Sequence, residues 1–238
     1  MELVGDIYLF DVDGTLTPPR QKMTKEFYSF FKEWIEDKEV YLVSGSDYEK
    51  LEEQLPSDIL EGVGGVFGCM GNTYHTGGIE IMKRNFEPPE ELLEILQKHL
   101  DESQYKKRCG NHIEKRVGMV NFSVLGRDAT HHERQEYHAW DLLIKERKKI
   151  ADEINSTFDE FEASLGGEIS IDIYPAGWDK QQVYYHLPDA NYFFFGDKTL
   201  PGGNDFSLAH VLTELGHVVY NVSDFKETWK ILAETTWN

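Results

Sequence analysis

Residues 7–17 read IYLFDVDGTLT, and this stretch decides the fold. Four apolar or aromatic residues lead directly into Asp11 and Asp13, which are followed by Gly14 and two threonines. A short continuous apolar run predicts a buried parallel strand, whose carboxyl end would present both aspartates. Open α/β sheets bind their ligands at that edge, and Gly14 supplies the sharp turn that lets both carboxylates approach one ligand.

The close spacing of these two aspartates predicts a bound cation and phosphoryl-transfer chemistry. Two neighbouring carboxylates repel each other, so a cation must accompany them, and Mg²⁺ is the usual partner of oxygen ligands. An ionised aspartate that faces a metal-bound phosphate can attack phosphorus and carry the phosphoryl group as an acyl phosphate. The alternative, on these residues alone, is a polar turn or a calcium loop, because Asp-x-Asp-Gly occurs in both.

Composition limits the classes of partner. At 238 residues and 40% hydrophobic, the chain can bury a substantial core as one large or two small domains. No apolar run approaches the roughly 18–20 residues of a membrane span, and no signal-peptide pattern is seen. Cys69 and Cys109 lack ligand or redox spacing, which predicts free thiols in a reducing cytoplasm. The net charge of −19 argues against nucleic acid and anionic membrane as partners.

The order of strands and helices predicts an α/β fold with an insertion. Further buried strands are predicted at Val40–Val43, Val63–Phe67, Tyr192–Phe195 and His217–Tyr220. Helices are predicted over residues 24–35, 92–100 and 131–158, the last with a break, and from about residue 223 onward. From the hairpin at residues 73–81 to the alternating strand Glu168–Tyr174 the pattern is rich in hairpins, which is typical of an inserted α+β domain.

Polar loops follow two of the predicted strands. After the second strand, Ser46 and Glu49 fit a capping box for the next helix. Ser44 or Ser46 is also a candidate hydroxyl donor to phosphate at the same sheet edge, and the two interpretations are compatible. After the aromatic strand, Gly196–Asp205 combines several glycines with two acids, which a surface loop rarely needs directly behind a buried strand.

Four separate pieces of the chain together resemble the motifs of the haloacid dehalogenase superfamily. They are the Asp11–Thr15 loop, a hydroxyl after the second strand, the isolated Lys180, and the loop with Asp197 and Asp205. Each piece alone is a weak signal, but their order and separation match the superfamily.

A closer resemblance is to the eukaryotic-type phosphomannomutases, and it runs essentially end to end. The stretches that carry it are residues 11–22, 177–180 and 194–205. It implies a Rossmann-like haloacid dehalogenase core of residues 1–80 and 178–238, with an inserted α+β cap domain of residues 81–177.

The resemblance also assigns chemistry to the core. It implies that Asp11 is the nucleophile and Asp13 the general acid and base, while Lys180 neutralises developing charge. It implies Mg²⁺ bound by Asp11, the backbone of Asp13, and Asp197. Asp205 lies in the same acidic loop and would hold the metal through water or orient Lys180.

The resemblance places most of the substrate-binding residues in the cap. The matching positions are Arg116, Arg127, Arg134, Ser170 and Asp172 in the cap, with Arg20 and Ser46 in the core. The residue types agree, because guanidinium forks bind phosphate bidentately, and Ser170 and Asp172 on one strand face suit sugar hydroxyls. The alternative for any one arginine is a surface ion pair of little energy, which we favour for residues 106–108.

Two stretches depart from the family pattern. Cys69-Met70-Gly71 stands where the family has Glu-Asn-Gly, at the hinge into the cap. Ser44 replaces a usual glycine, which could change how tightly the phosphate loop closes.

The leading hypothesis is a phosphohexomutase that interconverts mannose 6-phosphate and mannose 1-phosphate and thereby feeds GDP-mannose synthesis. The resemblance implies a hexose 1,6-bisphosphate as activator and a homodimer through the cap. The alternative is a Mg²⁺-dependent sugar-phosphate phosphatase with the same chemistry and water as the final acceptor. A non-catalytic sugar-phosphate sensor would be expected to lack Asp11 or Asp13, and both are present.

Overall fold

The computed structural model describes residues 5–235 and Trp237. Residues Arg84–Gly177 form one compact unit, here called the cap unit, and the chain before and after it forms the other, the core unit. The elements in chain order are β1 (Asp6–Phe10), α1 (Lys25–Trp34), β2 (Glu39–Val43), α2 (Tyr48–Gln54), α3 (Ser57–Gly62), β3 (Gly65–Gly68), a 3-10 turn (Cys69–Gly71), β4 (Thr73–Thr76), β5 (Ile79–Lys83), α4 (Glu90–Glu102), β6 (Ile113–Arg116), β7 (Met119–Phe122), α5 (His131–Ile144), α6 (Glu146–Thr157), β8 (Phe161–Gly166), β9 (Ser170–Pro175), α7 (Gln182–His186), β10 (Asn191–Gly196), α8 (Phe206–Glu214), β11 (Val218–Asn221) and α9 (Phe225–Glu234).

The core unit is built on a seven-stranded sheet in the order β11-β10-β1-β2-β3-β4-β5. The five strands from β11 to β3 are parallel, and β4 and β5 extend the sheet as an antiparallel hairpin. β1 is the middle one of the five parallel strands, with Leu9 opposite Tyr41 on one side and Phe194 on the other. This α/β architecture confirms the predicted fold class. The carboxyl ends of β1, β2 and β10 meet at one edge of the sheet.

Side chains of β1 alternate between two apolar layers. Tyr8 and Phe10 pack in the layer with Phe27 and Phe31 of α1, and the Phe10 ring lies 5.3 Å from that of Phe31. Ile7 and Leu9 point to the other layer, which contains residues of α8. A strand that is buried on both faces needs apolar residues at every position, which accounts for the uninterrupted run before Asp11.

The cap unit contains a four-stranded antiparallel sheet in the order β6-β7-β9-β8. β9 pairs with β7 and β8 and so occupies an interior position, with Ile171 opposite Phe122 and Leu165. Helices α5 and α6 are separated at Lys145, which adopts a left-handed conformation with φ of 58°. The predicted helix over residues 131–158 is therefore two helices, and its predicted break is confirmed.

Two local predictions differ from the structure. The capping box of Ser46 and Glu49 is wrong, because α2 begins after Asp47, whose carboxylate accepts from the Lys50 backbone N–H at 2.8 Å. Strand β8 was not predicted. Among the residues that the structure describes, no helix has the length and apolar character needed to cross a membrane.

Candidate active site

The carboxylate of Asp11 is buried at the carboxyl end of β1. Its Oδ2 accepts a hydrogen bond from Thr15 Oγ1 at 3.2 Å, and its backbone N–H donates to Phe195 O at 2.9 Å. Gly14 has a φ of 90°, and a Cβ there would lie 2.5 Å from Asp197 Oδ2. Glycine is therefore required for two reasons: it accepts the left-handed conformation, and it leaves room for Asp197.

Lys180 joins three parts of the sheet edge. It is fully buried, and its Nζ donates to Asp11 Oδ1 at 2.6 Å, to Asp205 Oδ1 at 2.5 Å and to Val43 O at 3.0 Å. Burial alone would lower the pKa of Lys180, but Asp11 and Asp205 outweigh it and hold the pKa above its ordinary value. The lysine therefore remains protonated. Asp205 is held in turn by the Lys198 backbone N–H, which donates to its Oδ2 at 3.0 Å.

The carboxylates of Asp11, Asp197 and Asp205 form an acidic group around this lysine. One oxygen of each lies within 4.8 Å of the others. Asp197 Oδ1 is buried and has no hydrogen-bond partner within residues 5–235 and Trp237. With all three carboxylates ionised, they and the one ammonium leave two net negative charges. Buried carboxylate oxygens with this charge fit a divalent cation such as Mg²⁺.

The electrostatics of Asp11 and Asp197 also favour a bound cation. Burial raises the pKa of Asp11 to about 7, with Lys180 opposing the shift and Asp205 and Asp197 adding to it. Burial is also the largest cause of the raised pKa of Asp197. A cation coordinated by their oxygens would favour the ionised form of both carboxylates. The ionised form of Asp11 is the one that can act as a nucleophile.

The carboxylate of Asp13 has a different set of partners. Its Oδ1 accepts from the Arg20 backbone N–H at 2.7 Å and from Gln54 Nε2 at 3.0 Å. Its Oδ2 accepts from Ser46 Oγ at 3.4 Å. The structure thus brings together Asp13, Arg20 and Ser46, three of the predicted site residues. The Asp13 side chain is not part of the acidic group, so any contribution to metal binding stays a prediction that concerns its backbone.

Gln54 is a partner of Asp13 that the sequence analysis missed. It is buried at the last position of α2, three residues after the buried Leu51. Its Oε1 is buried and finds no hydrogen-bond partner in the described part of the chain. A glutamine on the apolar face of a helix was the signal that could have identified it.

The cap unit brings the predicted arginines together. Burial lowers the pKa of Arg127, the positive charges of Arg116 and Arg134 lower it further, and the negative charges of Glu114 and Asp172 oppose the shift. Arg116 Nε donates to Glu114 Oε2 at 2.7 Å, and Arg127 Nε lies 3.5 Å from the same oxygen. Glu114 was not predicted as part of this site, although it lies two residues before Arg116 and therefore on the same strand face.

Arg134 and the β9 residues complete this arrangement. Arg134 donates from Nε to Ala129 O at 3.0 Å and from Nη2 to Arg127 O at 2.7 Å, so it holds the loop that carries Arg127. Asn121 Nδ2 donates to Asp172 Oδ1. Ser170 is buried and donates from Oγ to Gly166 O at 2.7 Å.

A buried ion pair that was also not predicted supports β9. Arg147 donates from its backbone N–H to Asp141 Oδ1 at 2.9 Å and from Nε to Asp141 Oδ2 at 2.7 Å. Its Nη1 donates to Gly167 O at 3.0 Å and Ser170 O at 3.2 Å. The pair therefore fixes the backbone at the start of the strand that carries Ser170 and Asp172.

The departures from the family pattern lie beside the core site. Met70 has a φ of 62°, and its backbone N–H donates to Ser44 O at 2.9 Å. Cys69 has a φ of 48°, and its backbone N–H donates to Ser46 O at 2.8 Å. Ser44 is buried and its Oγ accepts from the Ser46 backbone N–H at 3.1 Å. The left-handed turn thus fixes the serine loop next to Asp13. Cys69 and Cys109 are both free thiols, as predicted.

Comparisons with known proteins identify the family of this chain. The family model described as eukaryotic phosphomannomutase matches residues 27–235. A phosphomannomutase of Spinacia oleracea is 36% identical over 227 residues, which cover 92% of this chain and 92% of that protein. A phosphomannomutase of Drosophila melanogaster is 36% identical over 243 residues, which cover 96% and 94% respectively.

The similarity to a solved structure bears on the fold and not on the function. The C-terminal domain of C. albicans trehalose-6-phosphate phosphatase superposes with a TM-score of 0.61 at 16% identity, over 96% of this chain and 89% of that chain. This likeness is consistent with the haloacid dehalogenase fold that the sequence predicted. Because the family model spans most of the chain and the relatives align over more than nine-tenths of it, the chain belongs to the eukaryotic phosphomannomutase family.

Proposed function

We propose that the chain interconverts mannose 6-phosphate and mannose 1-phosphate by passing a phosphoryl group between a hexose 1,6-bisphosphate and Asp11. The observation that carries this proposal is the setting of Asp11. It is a buried carboxylate held by the fully buried Lys180, within a group of three carboxylates that fits a divalent cation. Such a group serves phosphoryl transfer, which depends on charge neutralisation and alignment.

In the proposed reaction an Asp11 oxygen attacks phosphorus of the bisphosphate. A bond forms between that oxygen and phosphorus, and the bond from phosphorus to the sugar oxygen breaks. Asp13 gives a proton to the leaving sugar oxygen. A hydroxyl of the bound hexose monophosphate then attacks the aspartyl phosphate: Asp13 removes its proton, a bond forms from its oxygen to phosphorus, and the bond from phosphorus to Asp11 breaks. Lys180 stays protonated and keeps Asp11 oriented, while bound Mg²⁺ would neutralise charge on the transferred phosphoryl group. We propose Asp11, the backbone of Asp13, and Asp197 as the residues that would hold the metal. Asp205 would hold it through water or orient Lys180, whose Nζ donates to its Oδ1.

The cap residues would bind the second phosphate and the sugar. Three arginines lie close together in a chain of net charge −19, and guanidinium groups bind phosphate bidentately. We propose Arg116, Arg127 and Arg134 for the phosphate and Ser170 and Asp172 for sugar hydroxyls. Arg20 and Ser46, which both bond to Asp13, are proposed as substrate contacts of the core.

We also propose the cellular setting implied by this reaction. The product mannose 1-phosphate is the form from which a nucleotide sugar such as GDP-mannose is made. We propose a cytoplasmic location and a homodimer formed through the cap. The homodimer is supported by Leu142 and Leu143 at the end of α5, which are 62% and 82% exposed. Large exposed apolar side chains next to one another mark candidate protein contacts.

The experiment that tests this proposal traps the phosphorylated aspartate. The protein is mixed with Mg²⁺ and glucose 1,6-bisphosphate that carries ³²P in its phosphates, quenched in acid, and assayed for protein-bound label that hydroxylamine releases. The unmutated protein should carry the label, since an acyl phosphate reacts with hydroxylamine. Asp11→Asn should carry none, because an amide does not attack phosphorus. Asp152→Asn, on the exposed surface of α6, is the matched control and should label normally.

Equal labelling of Asp11→Asn and the unmutated protein would exclude Asp11 as the nucleophile. Circular dichroism of each variant must match that of the unmutated protein, so that loss of label is not loss of fold.

A further inference from the structure

Glu114 places its carboxylate against two of the three cap arginines. Glu114 and Arg116 are two residues apart on β6 and therefore lie on the same face of the strand. Arg116 donates from both Nε and Nη2 to one oxygen, Glu114 Oε2. Arg127 Nε lies 3.5 Å from that same oxygen. One carboxylate oxygen thus accepts two hydrogen bonds from Arg116 and also forms an ion pair with Arg127.

This arrangement resembles the way in which arginines bind a phosphate oxygen. The Nε–Nη2 edge of a guanidinium is one of the edges used for bidentate binding of carboxylate or phosphate. Because Glu114 occupies that edge of Arg116, an incoming phosphate cannot use it until the carboxylate moves. The groups are partly exposed, so their side chains can rearrange without opening the core.

The charge of Glu114 also opposes phosphate binding by the cap arginines. Arg116, Arg127 and Arg134 carry three positive charges, and Glu114 and Asp172 carry two negative ones. The cluster therefore has one net positive charge, which is less than the charge of a phosphate dianion. Without the charge of Glu114 the cluster would balance a dianion.

We propose that Glu114 is an internal competitor for phosphate in the cap unit. Its carboxylate pairs with Arg116 and Arg127 when no phosphate is bound, and the phosphate of the sugar must displace it. This inference rests on the proposed function, because it takes the cap arginines as a phosphate site. A bisphosphate that turns end for end must leave these arginines in every cycle. A carboxylate that replaces the departing phosphate keeps the arginines paired and so favours release.

The experiment is a calorimetric titration of the full-length protein with mannose 6-phosphate in the presence of EDTA. Without metal, the carboxylates of the core site outnumber its one ammonium and disfavour phosphate binding there, so binding reports the cap. Glu114→Gln should bind mannose 6-phosphate about fivefold more tightly than the unmutated protein, the size expected for a partly exposed ion pair. Glu114→Ala should change the affinity in the same direction.

Glu87→Gln is the matched control. Glu87 pairs with Lys115, which is the residue between Glu114 and Arg116, and its loss removes the same charge from the same unit. It should leave the affinity unchanged within about twofold, as expected for an exposed ion pair. Arg127→Ala should weaken binding, and the gain from Glu114→Gln should shrink when Arg127 is absent, since competition acts through the arginines.

Turnover supplies a second readout. Glu114→Gln should lower KM and also lower kcat, because the bisphosphate leaves the arginines more slowly. A residue that only orients Arg116 would give the opposite KM effect. Unchanged or weaker binding by both Glu114 variants, with normal binding by the unmutated protein, overturns this inference and leaves the proposed function intact. If the unmutated protein binds no mannose 6-phosphate in EDTA, this inference fails, and the labelling of Asp11 in the presence of Mg²⁺ decides the proposed function separately.

Discussion

Replacement of Lys180 by methionine should destabilise the core unit strongly. The substitution keeps the length of the side chain and removes its charge. Three hydrogen bonds are lost, to Asp11 at 2.6 Å, to Asp205 at 2.5 Å and to Val43 O at 3.0 Å. Removing one partner of a buried ion pair costs about 3–5 kcal/mol, since it leaves an uncompensated charge. We take about 4 kcal/mol, which corresponds to a fall in Tm of about 8–16 °C for a chain of this size.

The assay is thermal unfolding in EDTA near neutral pH, followed by circular dichroism. Lys32→Met is the matched control, because Lys32 pairs with Asp58 at 2.6 Å on the exposed surface of the same unit. That control should change the Tm by no more than about 2–4 °C, as expected for a surface pair of at most about 1 kcal/mol.

The loss of stability caused by Lys180→Met should also depend on pH. Burial already raises the folded-state pKa of Asp11 to about 7, above that of an unfolded aspartate, about 3.9, and loss of the ammonium, which opposes this shift, raises it further. The folded variant then binds protons that the unfolded chain does not, so stability is regained as the pH falls. A Tm for Lys180→Met within about 2 °C of that of the unmutated protein at neutral pH would refute the charge balance assigned to this site.

Three further predictions follow from other parts of the molecule. Arg147→Met should lower the free energy of unfolding by about 3–5 kcal/mol, because Asp141 would stay buried without its partner. Lys148→Met, on the exposed face of α6, is the control and should have little effect. Equal Tm values for the two variants would contradict this prediction. Met70→Asn should raise the free energy of unfolding by about 1 kcal/mol, since asparagine adopts a φ near 62° more readily, and a lower Tm would show that Met70 packing dominates. Removal of metal with EDTA should stop catalysis reversibly, with Mg²⁺ restoring it, and metal-independent turnover would contradict the proposed use of the acidic group.

The central strand and its aspartates could be predicted from the sequence because the signal is local. An apolar run that ends in Asp11 and Asp13 predicts a strand buried on both faces and a turn at its end. The loop with Asp197 and Asp205 follows β10 in the same way. Since β1 and β10 are neighbours in a parallel sheet, the two loops meet at one edge.

Lys180 could be identified only by resemblance. Its partners Asp11 and Asp205 lie 169 and 25 residues away along the chain, and no local pattern predicts such contacts. Gln54 and Glu114 have local signals, but their partners Asp13 and Arg127 come from other parts of the chain, and the sequence does not indicate the pairing of Asp141 with Arg147. Each takes its role from residues that the fold brings close.

Two local errors have physical causes. In the loop before α2, Ser46 and Asp47 are both good N-cap residues, and the sequence pattern fits the serine. The structure instead uses the Ser46 hydroxyl for Asp13 and its carbonyl for the Cys69 N–H, which leaves the cap to Asp47. Strand β8 has little alternation, and its pairing with β9 specifies it rather than its own sequence.

The most direct test of the proposed function follows sugar phosphate and free phosphate together. The protein is incubated with mannose 1-phosphate, Mg²⁺ and a trace of glucose 1,6-bisphosphate, and both mannose 6-phosphate and inorganic phosphate are measured over time. A mutase should form mannose 6-phosphate much faster than phosphate, and only when the bisphosphate is present to phosphorylate Asp11, because a bound sugar must capture the phosphoryl group before water does. Release of phosphate as the main product at saturating mannose 1-phosphate would contradict the mutase and indicate a sugar-phosphate phosphatase.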